Sequence, residues 1–529
     1  MPHFVLRPLA LQLLTLTGFG ASMTLYAQAA AITPAAHVST AGQTLSSQRF
    51  HQDHLLGTSL DMLVVGTTPA QATRAYHAAT REIARLDQIL STYRSDSEIS
   101  ALNHPNQDGR AIPVSADLYA VIQACEQWHS ATCGAFSARL GELINAKQHT
   151  PDLDLSVQAQ LAETAASARV DLDAQTQQIT RPQGVQFAPD ALAKGYIIDR
   201  ALQAARRAAP ELKGLLLDIG GDVQVWGQSP RATSWQVGLR AAGQRADNEQ
   251  PNQVLALRPA TTPLSVAYSG QGARDYIATD GRRDSHLLAP SNGQSLNHIE
   301  HSVVVAPHAA DADALATAIA AMTPAQAMAL IEQLDHTEAQ LTLTNGETFT
   351  SSGWHDLVAT DHTVATMRTV ATDGSASKVA AWPSGYRAML DYDVPKLPSN
   401  NYQAPYLVIW VTDSDRKLVR TLNVFGKDPK WLDSNYLWWK RYGRTMTSLD
   451  TVAKPSRAPG HYSVVWDGKD DAGNTVAAGK YTLHIEAARE HGGHSYQSVD
   501  IDANPTSNSQ TLPAKDELGA LSYRFGRAI

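Results

Sequence analysis

The sequence predicts an α+β N-terminal domain followed by an all-β, immunoglobulin-like sandwich. Three observations support this prediction. From about residue 48 to 350, segments with the hydrophobic period of amphipathic helices are mixed with β-rich runs. Residues 351–384 then turn to Ser, Thr, Asp, Gly and Ala with little periodicity, as linkers do. From 385 to 503, short runs of alternating apolar residues are separated by turns, which is typical of an antiparallel sandwich.

The N-terminus has the pattern of an export signal. Arg7 precedes an apolar run from Leu9 to Leu25, and Ala27-Gln28-Ala29 follows as a small-residue cleavage site. A membrane anchor is the competing interpretation, but glycine, serine and threonine dilute the run, and no other stretch of about 18 apolar residues exists. We therefore expect residues 1–29 to be a signal peptide and the mature protein to be periplasmic, without a stable membrane span.

Length, charge and cysteine content narrow the possibilities further. A chain of 529 residues exceeds the size at which a single core usually keeps growing, so at least two domains are expected. The formal charge of -8, without any basic block, argues against nucleic-acid binding, which needs a patch that neutralises phosphates. Two cysteines, Cys125 and Cys133, are too few for a disulfide scaffold, and the sequence leaves open whether they pair.

Individual elements can be placed along the chain. Helices are predicted at 69–91, 116–130, 191–208 and 311–334, with a strand at 214–218. In the second domain, alternation predicts strands around Tyr406–Val411 and Tyr481–Ile485. Residues 504–529 are polar and are expected to be a loose tail. Three tryptophans, Trp431, Trp438 and Trp439, could form a docking surface, although burial in the sandwich core explains them more simply.

Asp313 and Thr317 lie four residues apart on the last predicted helix of the first domain, so a carboxylate and a hydroxyl project from one helix face. Oxygen ligands with few protein contacts suit Mg²⁺, which keeps positions open for substrate phosphates. An aspartate near a helix start is also a common cap or dipole partner. The pair alone leaves both interpretations open.

Other residues upstream could handle a phosphate or a flavin. Gly220-Gly221 follows the apolar run Leu215–Leu217 and could present N–H groups to an anion, or could form a plain tight turn. Lys194 offers a point charge for a pyrophosphate, unless it is a solvated surface lysine. Tyr93 could stack on a base, or could be an ordinary half-buried tyrosine.

Five separated segments, in this order and spacing, together resemble the ApbE-like family of FAD:protein FMN transferases. The resemblance spans about residues 56 to 335. The segments are Leu56-Gly57-Thr58; Leu90-Ser91-Thr92-Tyr93 with 96–103; Ala191-Leu192-Ala193-Lys194-Gly195-Tyr196 with Asp199; Asp218-Ile219-Gly220-Gly221-Asp222; and Ser285-His286-Leu287-Leu288, followed by the Asp313/Thr317 helix.

The resemblance implies a role for individual residues. It implies that the flavin is contacted by nine residues, namely Leu56, Tyr93, Ala135, Phe136, Ser137, Lys194, Ser269, Gly270 and Leu288. By the same resemblance, a metal is held by the backbone carbonyl of Ala191, the carboxylate of Asp313 and the hydroxyl of Thr317. His286 matches the histidine of a His-x-x-Asp-Pro motif and is our candidate base, because an imidazole titrates near neutral pH. A structural histidine is the alternative.

The implied reaction transfers the FMN half of FAD to a Ser or Thr hydroxyl of an acceptor flavoprotein, with AMP leaving and Mg²⁺ as cofactor. Three positions depart from the family pattern, because Ser137, Ala188 and Ala289 stand where the family has carboxylates. Two alternatives remain, of which the loss of these carboxylates suggests the first. The chain could bind FAD with little or no transfer, or it could be an FAD pyrophosphatase that uses water as the nucleophile.

Residues from about 385 to 503 resemble an uncharacterised periplasmic domain family that is found fused behind ApbE-like modules. The resemblance rests on Trp410-Val411-Thr412-Asp413, on 418–422, and on Gly460–Gly468. The stretch that continues to Thr482 also looks like immunoglobulin-type modules of flagellar hook-cap proteins. We expect this domain to recruit or orient the acceptor protein.

Overall fold

The computed structural model describes most of the chain beyond residue 44. The described ranges are 45–230, 233–239, 253–259, 261–271, 275–277, 283–359, 382–396, 405–426, 434–445, 453–454, 459–471, 473–489 and 493–527. The predicted signal peptide therefore lies outside the described residues.

The first unit is built on a mixed set of helices around one large sheet. Its helices are α1 (Pro69–Leu90), α2 (Glu98–Asn103), α3 (Ala116–Ala131), α4 (Gly141–His149), α5 (Leu155–Ser167), α6 (Asp190–Ala208), α7 (Ala309–Ala320), α8 (Pro324–Ile331) and α9 (Trp354–Leu357). Predictions of helices at 69–91, 116–130 and 191–208 are confirmed by α1, α3 and α6.

An eight-stranded antiparallel sheet forms the centre of this unit. Its strands are β1 (Ser47–Leu55), β2 (Thr58–Val65), β6 (Gly214–Ile219), β7 (Asp222–Gly227), β10 (Leu264–Gly270), β13 (Ile299–Ala306), β14 (Glu338–Leu343) and β15 (Thr348–Thr350), and they are adjacent in that order. The shorter strands are β3 (Ala111–Pro113), β4 (Asp171–Asp173), β5 (Gln178–Thr180), β8 (Trp235–Leu239), β9 (Gln253–Leu257), β11 (Tyr276–Ile277) and β12 (Arg283–Asp284).

Helices α1, α6 and α7 bury their apolar faces in one core with the sheet. Ile83 and Leu86 of α1, Ile198 of α6 and Ile319 of α7 are completely buried in this core with Leu217 of β6. The i, i+3, i+4 spacing of small and branched residues gives each helix such a face. This packing fixes α6 and α7 against β6, β7 and β10, whose ends carry the candidate site.

The predicted helix at 311–334 is wrong in one respect, because it is two helices. Helix α7 ends at Ala320, and α8 begins at Pro324 after a new N-cap at Thr323. The Thr323 side chain and Gln326 form a reciprocal capping box, and proline fits the first helical turn because it needs no N–H acceptor there. A continuous apolar period had hidden this break.

The second unit consists of two antiparallel sheets and one short helix. The strands are β16 (Tyr386–Val394), β17 (Tyr406–Asp413), β18 (Leu418–Phe425), β19 (Ala453–Lys454), β20 (Gly460–Trp466), β21 (Lys480–Ala488), β22 (His494–Asp502), β23 (Asn508–Leu512) and β24 (Leu521–Arg527), with α10 (Tyr436–Arg441). One sheet has the order β20-β16-β24-β23 and the other β19-β18-β17-β21-β22, with β19 parallel to β18. The expected all-β class is confirmed.

The two sheets share one apolar core. Leu390 of β16 and Phe525 of β24 pack in it with Leu407 of β17 and Leu483 of β21. Trp382 lies against Trp466, with ring centroids 4.6 Å apart. Because Trp382 is part of this core, the second unit begins before the predicted boundary at 385.

The expectation of a loose tail at 504–529 is wrong. Strand β24 lies between β16 and β23, so it is an inner strand of its sheet. Leu521, Tyr523 and Phe525 alternate with exposed or half-buried residues and are buried in the core. The polar neighbours of these three residues lower the mean hydropathy of the segment, but the period of two is the feature that decides its structure.

The predicted linker at 351–384 also begins too early. Trp354 of α9 is buried in a cluster with Val225, Trp235 and Val303 of the first unit. Ser351, which resembles a linker residue, hydrogen-bonds Glu338 through its hydroxyl. The linker prediction therefore fails for 351–359, while 360–381 lies outside the described residues.

The aromatic helix α10 packs on the outer face of the five-stranded sheet, away from the shared core. Trp438 is completely buried there against Val408 and Trp410, and Trp439 is half-buried. Trp438 is thus a packing residue, and Trp431 lies outside the described residues. The two cysteines do not pair, since Cys125 is buried in the first unit and Cys133 is exposed.

Truncation of Phe525 tests the assignment of β24 to the core. We expect Phe525→Ala to lower the free energy of unfolding by about 3–5 kcal/mol, because it leaves a cavity beside Trp382. Arg524→Ala, at the neighbouring outward position, should cost no more than about 1 kcal/mol. Urea unfolding followed by tryptophan fluorescence measures both. If both substitutions left the free energy of unfolding almost unchanged, the assignment of β24 to the core would be wrong.

Candidate active site

The site begins with a close contact between two helices. A Cβ atom on Gly195 of α6 would lie 2.1 Å from the carbonyl oxygen of Ala309 at the start of α7. Only glycine allows the two backbones to approach in this way. The contact brings the first half of α6 against the first turns of α7.

Asp199 of α6 accepts hydrogen bonds from backbone N–H groups at the N-terminus of α7. Its two carboxylate oxygens accept the N–H groups of Ala309 and Ala310, at 3.0 and 3.1 Å. These are among the N–H groups that lack a partner inside the helix. Burial raises the pKa of Asp199, whereas the two N–H groups favour its charged form. Asp199 therefore acts as the cap of a helix other than its own.

Asp313 lies one turn further along α7 and points at α6. It is 5% exposed, and its Oδ2 accepts the N–H of Gly195 at 3.1 Å. In an α-helix that N–H is directed at the carbonyl of the residue four earlier, which is Ala191. The carboxylate of Asp313 thus approaches α6 beside the Ala191 carbonyl. The alternative role of Asp313 as a cap of its own helix finds no support, because its bond goes to α6.

Thr317 joins the same group from the next turn of α7. Its hydroxyl oxygen is 3.2 Å from the hydroxyl oxygen of Ser269 on β10. Ser302 of β13 links the two elements, because its hydroxyl contacts the carbonyl oxygens of Ser269 and Ala316. The structure thus brings together four predicted site residues from α6, α7 and β10, namely Ala191, Asp313, Thr317 and Ser269.

The donors in this group fit a hard divalent cation. They are a carboxylate, a backbone carbonyl and two hydroxyl oxygens, the ligand types that Mg²⁺ prefers. Within the described ranges, no three His, Cys, Asp or Glu side chains are close enough to hold a metal ion together. A cation bound here would keep positions for water or substrate phosphate, which is the usual situation of Mg²⁺.

Lys194 is paired with a carboxylate of the Asp218–Asp222 segment, to which sequence reasoning assigned no individual role. Its Nζ is 2.5 Å from Oδ2 of Asp222, which is buried at the start of β7. The other oxygen of Asp222 accepts the N–H of Tyr268 on β10, at 3.2 Å. The ammonium group is therefore held at a defined place next to β10, and the interpretation of Lys194 as a freely solvated lysine is wrong.

The Gly220-Gly221 turn joins β6 to β7, and the N–H groups of both glycines are already paired within the protein. Both glycines have positive φ, at 60° and 95°, and Gly221 N–H donates to Oδ1 of Asp218 at 2.9 Å. A Cβ on Gly220 would lie 2.7 Å from the Thr58 hydroxyl. The absence of a side chain at Gly220 therefore lets the turn pack against Thr58, which follows Leu56 and Gly57 in the chain.

Asp218 lies directly opposite Asp61 on β2, so two carboxylates face each other across the sheet. Burial, together with the charges of Asp61 and Asp222, raises the pKa of Asp218 to about 6, against the opposing effects of Gly221 N–H and Lys194. Asp61 is also 3.1 Å from Nδ1 of His51. A concentration of negative charge thus lies beside Lys194.

His286 is oriented by a second carboxylate that sequence reasoning missed. Its Nδ1 is 2.9 Å from Oδ1 of Asp275, and its backbone N–H donates to the same oxygen at 3.2 Å. The Asp275 side chain is completely buried, whereas the imidazole is 24% exposed. Asp275 lies eleven residues before His286, a spacing that carries no recognisable signal in the sequence.

The two parts of the site are close along the chain. Ser269 is on β10 beside Thr317, and Asp275 follows six residues later. Six residues span at most roughly 20 Å when fully extended. The histidine pair therefore lies within about this distance of the oxygen donors on α7.

Tyr93 is an exposed ring and not a half-buried one. It is 76% exposed, after the end of α1, and its neighbour Thr92 donates a hydrogen bond to Asp190 in the first turn of α6. Asp190 thus provides a carboxylate near the position where Ala188 lacks one. Tyr276, also missed, is close enough to Tyr93 to have its pKa influenced by it, and burial raises that pKa to about 12.

The remaining predicted flavin contacts are spread over several loops. Leu56 has a positive φ of 52° in the turn between β1 and β2, an unfavourable conformation for leucine. Phe136 is buried in the core, so only its backbone could face a ligand. Ala135 and Ser137 are half-buried beside it, Gly270 ends β10, and Leu288 packs near Leu140.

Comparison with protein families decides the assignment of the first unit. The ApbE family profile matches residues 56–341, which is more than half of the chain. The chain belongs to the ApbE family. A second profile, described as a predicted periplasmic protein (DUF2271), matches residues 387–520.

Curated relatives of this ApbE chain are named FAD:protein FMN transferase. One from Klebsiella pneumoniae is 26% identical over 329 residues, covering 59% of this chain and 88% of its own length. One from Treponema pallidum is 27% identical and covers 58% of this chain and 87% of its own length. Among solved structures, the ApbE protein of Thermotoga maritima aligns with a TM-score of 0.52 at 22% identity, over 59% of this chain and 99% of that chain, which supports the fold.

No helix in the described part of the chain is both long and apolar enough to cross a bilayer.

The raised pKa of Asp218 predicts a pH effect on stability. A carboxyl group with a folded pKa of about 6 and an unfolded value near 3.9 makes the folded state less stable as pH rises through that interval. We expect wild type to lose roughly 2–3 kcal/mol relative to Asp218→Asn between pH 4 and 7. Asparagine can still accept the Gly221 N–H. Urea unfolding at a series of pH values measures the free energy of unfolding of both proteins. The same pH dependence for wild type and Asp218→Asn would contradict this prediction.

Proposed function

We propose that this chain is a Mg²⁺-dependent transferase that moves FMN from FAD to a Ser or Thr hydroxyl of an acceptor flavoprotein and releases AMP. The observation that supports this most is the convergence of Ala191, Asp313, Thr317 and Ser269 where α6, α7 and β10 meet. It lies inside the region that matches the ApbE family. The names of the curated relatives supply the substrate class.

The proposed reaction replaces the phosphoanhydride bond of FAD with a phosphate ester bond to the acceptor. The acceptor hydroxyl oxygen attacks the phosphorus on the FMN side of the pyrophosphate and forms a new P–O bond. The bond from that phosphorus to the bridging oxygen breaks, and AMP leaves with that oxygen. The hydroxyl proton passes to a base. Positioning and charge neutralisation dominate such a displacement.

Asp313, Thr317 and the Ala191 carbonyl would hold the cation on the pyrophosphate. When bound, Mg²⁺ supplies positive charge that offsets the charge developing on the departing phosphate. Asp313 is held in place before any ligand binds, because Gly195 N–H fixes one of its oxygens. Lys194 would contribute a second positive charge, positioned by its ion pair with Asp222.

His286 would accept the proton of the attacking hydroxyl. The Asp275 carboxylate at Nδ1 favours the tautomer with a proton on that nitrogen, which leaves Nε2 as the basic atom. A buried carboxylate behind a partly exposed imidazole is the arrangement of a general base and its orienting group. Asp275 would thus orient His286 in this chain, which has no carboxylate at Ala289.

The flavin would be contacted by residues around this centre. We propose contacts from Leu56, Tyr93, Ala135, Phe136, Ser137, Lys194, Ser269, Gly270 and Leu288, with Phe136 acting through its backbone because its ring is buried. The exposed ring of Tyr93 is available for stacking on a base or on the isoalloxazine.

We further propose that the protein is exported to the periplasm by residues 1–29 and that the all-β unit is an immunoglobulin-like sandwich that recruits or orients the acceptor. The family description of the second unit as periplasmic supports the location. Two antiparallel sheets around one core support the sandwich. The transferase domain would comprise about residues 48–359, and the second domain residues 382–527.

A direct assay tests the transferase proposal. Purified protein is incubated with FAD, Mg²⁺ and a carrier protein bearing an exposed peptide that contains Ser and Thr. Flavin fluorescence of the carrier on a denaturing gel, together with AMP release that requires the carrier, is the expected result. FAD binding without AMP would indicate a flavin-holding protein, and AMP with free FMN in the absence of carrier would indicate a pyrophosphatase.

Removing the charge of Asp313 should abolish the response to the cation. We expect Asp313→Asn to lower the rate of AMP release by about 100-fold or more at fixed Mg²⁺, because a carboxylate ligand is lost from a site with few protein ligands. Asp311→Asn is the matched control, since Asp311 is on the same helix but accepts the Trp128 indole N–H. Its dependence on Mg²⁺ concentration should equal that of wild type. Transfer by Asp313→Asn at the wild-type rate would contradict the metal assignment.

Asp275→Asn tests the orientation of His286. We expect kcat to fall by about 10²–10⁴-fold, the range that general base catalysis contributes, with KM for FAD changed by no more than about twofold. Asp284→Asn is the control, because Asp284 precedes His286 by two residues and bonds Asn297 instead. A parallel loss in both variants, or a change confined to KM, would show that Asp275 acts on the loop and not on the histidine.

A further inference from the structure

A polar pocket lies in the all-β unit, at the side where its two sheets separate. β22 is the edge strand of the five-stranded sheet and β23 is the edge strand of the four-stranded sheet, and residues 503–507 connect them. The pocket between them has a volume of about 510 Å³. Its wall includes Asp500, Asp502, Asn504, Thr506, Asn508 and Gln510.

Internal bonds fix the shape of this pocket. Beyond one end, Tyr386 OH donates to the carbonyl oxygen of Pro505 at 3.0 Å. Beyond the other, the side chain of Gln497 donates to the carbonyl oxygen of Pro513 at 3.0 Å. Within the wall, Thr482 donates to Asp500 at 3.1 Å, and Asn504 donates to Asp502. Asp500, Asp502 and Asn504 are therefore positioned before any ligand arrives.

Tyr523 of β24 provides an independent sign of a ligand. The residue is 1% exposed and lines the pocket, while its ring packs in the shared core of the two sheets. Its hydroxyl is buried and has no hydrogen-bond partner within the described residues. Burial and the charge of Asp502 raise the pKa of this phenol, so the hydroxyl stays protonated. A buried, unpaired hydroxyl is costly unless something else bonds to it.

The chemistry of the wall narrows the kinds of ligand. Two carboxylates exclude an anion, and the scarcity of apolar side chains excludes a hydrophobic molecule. A single Ca²⁺ needs six to eight oxygens at about 2.3–2.6 Å, whereas this volume falls in the roughly 300–1,000 Å³ range of small-molecule sites. Amides and hydroxyls that both donate and accept hydrogen bonds match ligand hydroxyl groups, which also do both.

We propose that this pocket binds a neutral, hydroxyl-rich small molecule of the mono- or disaccharide class. The carboxylates of Asp500 and Asp502 would accept hydrogen bonds from ligand hydroxyls, and Asn508 and Gln510 would bond from the opposite edge strand. Tyr523 OH would gain the partner that it otherwise lacks. This site is independent of the proposed flavin chemistry, and no residue of the ApbE region takes part in it.

Saturation-transfer NMR on the full chain with glucose, galactose, mannose and N-acetylglucosamine tests the proposal. We expect transfer to at least one sugar, with affinity reduced by about tenfold in Tyr523→Phe and in Asp500→Asn. Tyr481→Phe is the matched control, because it removes another phenol of the same core whose hydroxyl bonds the Ala477 carbonyl. Sugar affinity should be unchanged in this control.

Thermal unfolding without sugar separates ligand binding from folding. Tyr523→Phe should keep or raise the wild-type Tm, since it removes only an unpaired hydroxyl, whereas Tyr481→Phe should lower it. The proposal is overturned if none of the four sugars shows transfer, or if transfer is unchanged in both pocket variants. It is also overturned if calcium chloride, and not a sugar, gives the Tyr523- and Asp500-dependent rise in Tm.

Discussion

The candidate site depends on one close approach, that of α6 to α7 at Gly195. Because no side chain separates the two backbones there, the Asp313 carboxylate can reach an N–H of the neighbouring helix, and Asp199 can reach back to cap α7. A larger residue at 195 would separate the helices and withdraw Asp313 from the Ala191 carbonyl. The catalytic proposal therefore rests on a packing constraint before it rests on any charged group.

Sequence reasoning found those parts of the molecule that a local pattern determines. Helices α1, α3 and α6 follow from their hydrophobic period, and the shared helix of Asp313 and Thr317 follows from their four-residue spacing. It failed where the spacing between a residue and its partner carries no recognisable signal. Asp222 beside Lys194 and Asp275 behind His286 are ordinary aspartates until the fold brings them to their partners. The loose-tail prediction failed because it weighed mean polarity above the alternation of Leu521, Tyr523 and Phe525.

The replaced carboxylates have a different meaning once the contacts are known. The replaced acids at 137, 188 and 289 raised the alternative of a chain that binds FAD with little or no transfer. The fold instead provides Asp275 for the histidine and Asp190 next to Thr92, at different backbone positions. In the proposed function, a different loop would supply each of these oxygens, since the reacting atoms respond to geometry and charge and not to sequence position.

The position of β24 has a consequence for how the second unit is assembled. β16, the first strand of that unit, pairs with β24, which is about 130 residues further along the chain. The chain loses conformational entropy when this long loop closes, before the contacts between β16 and β24 can stabilise it. This unit is therefore expected to fold slowly and late. Until β24 pairs with β16, the backbone N–H and C=O groups along one edge of β16 are unpaired and can bond a strand of another chain. Aggregation during synthesis or refolding is therefore expected to begin at this edge.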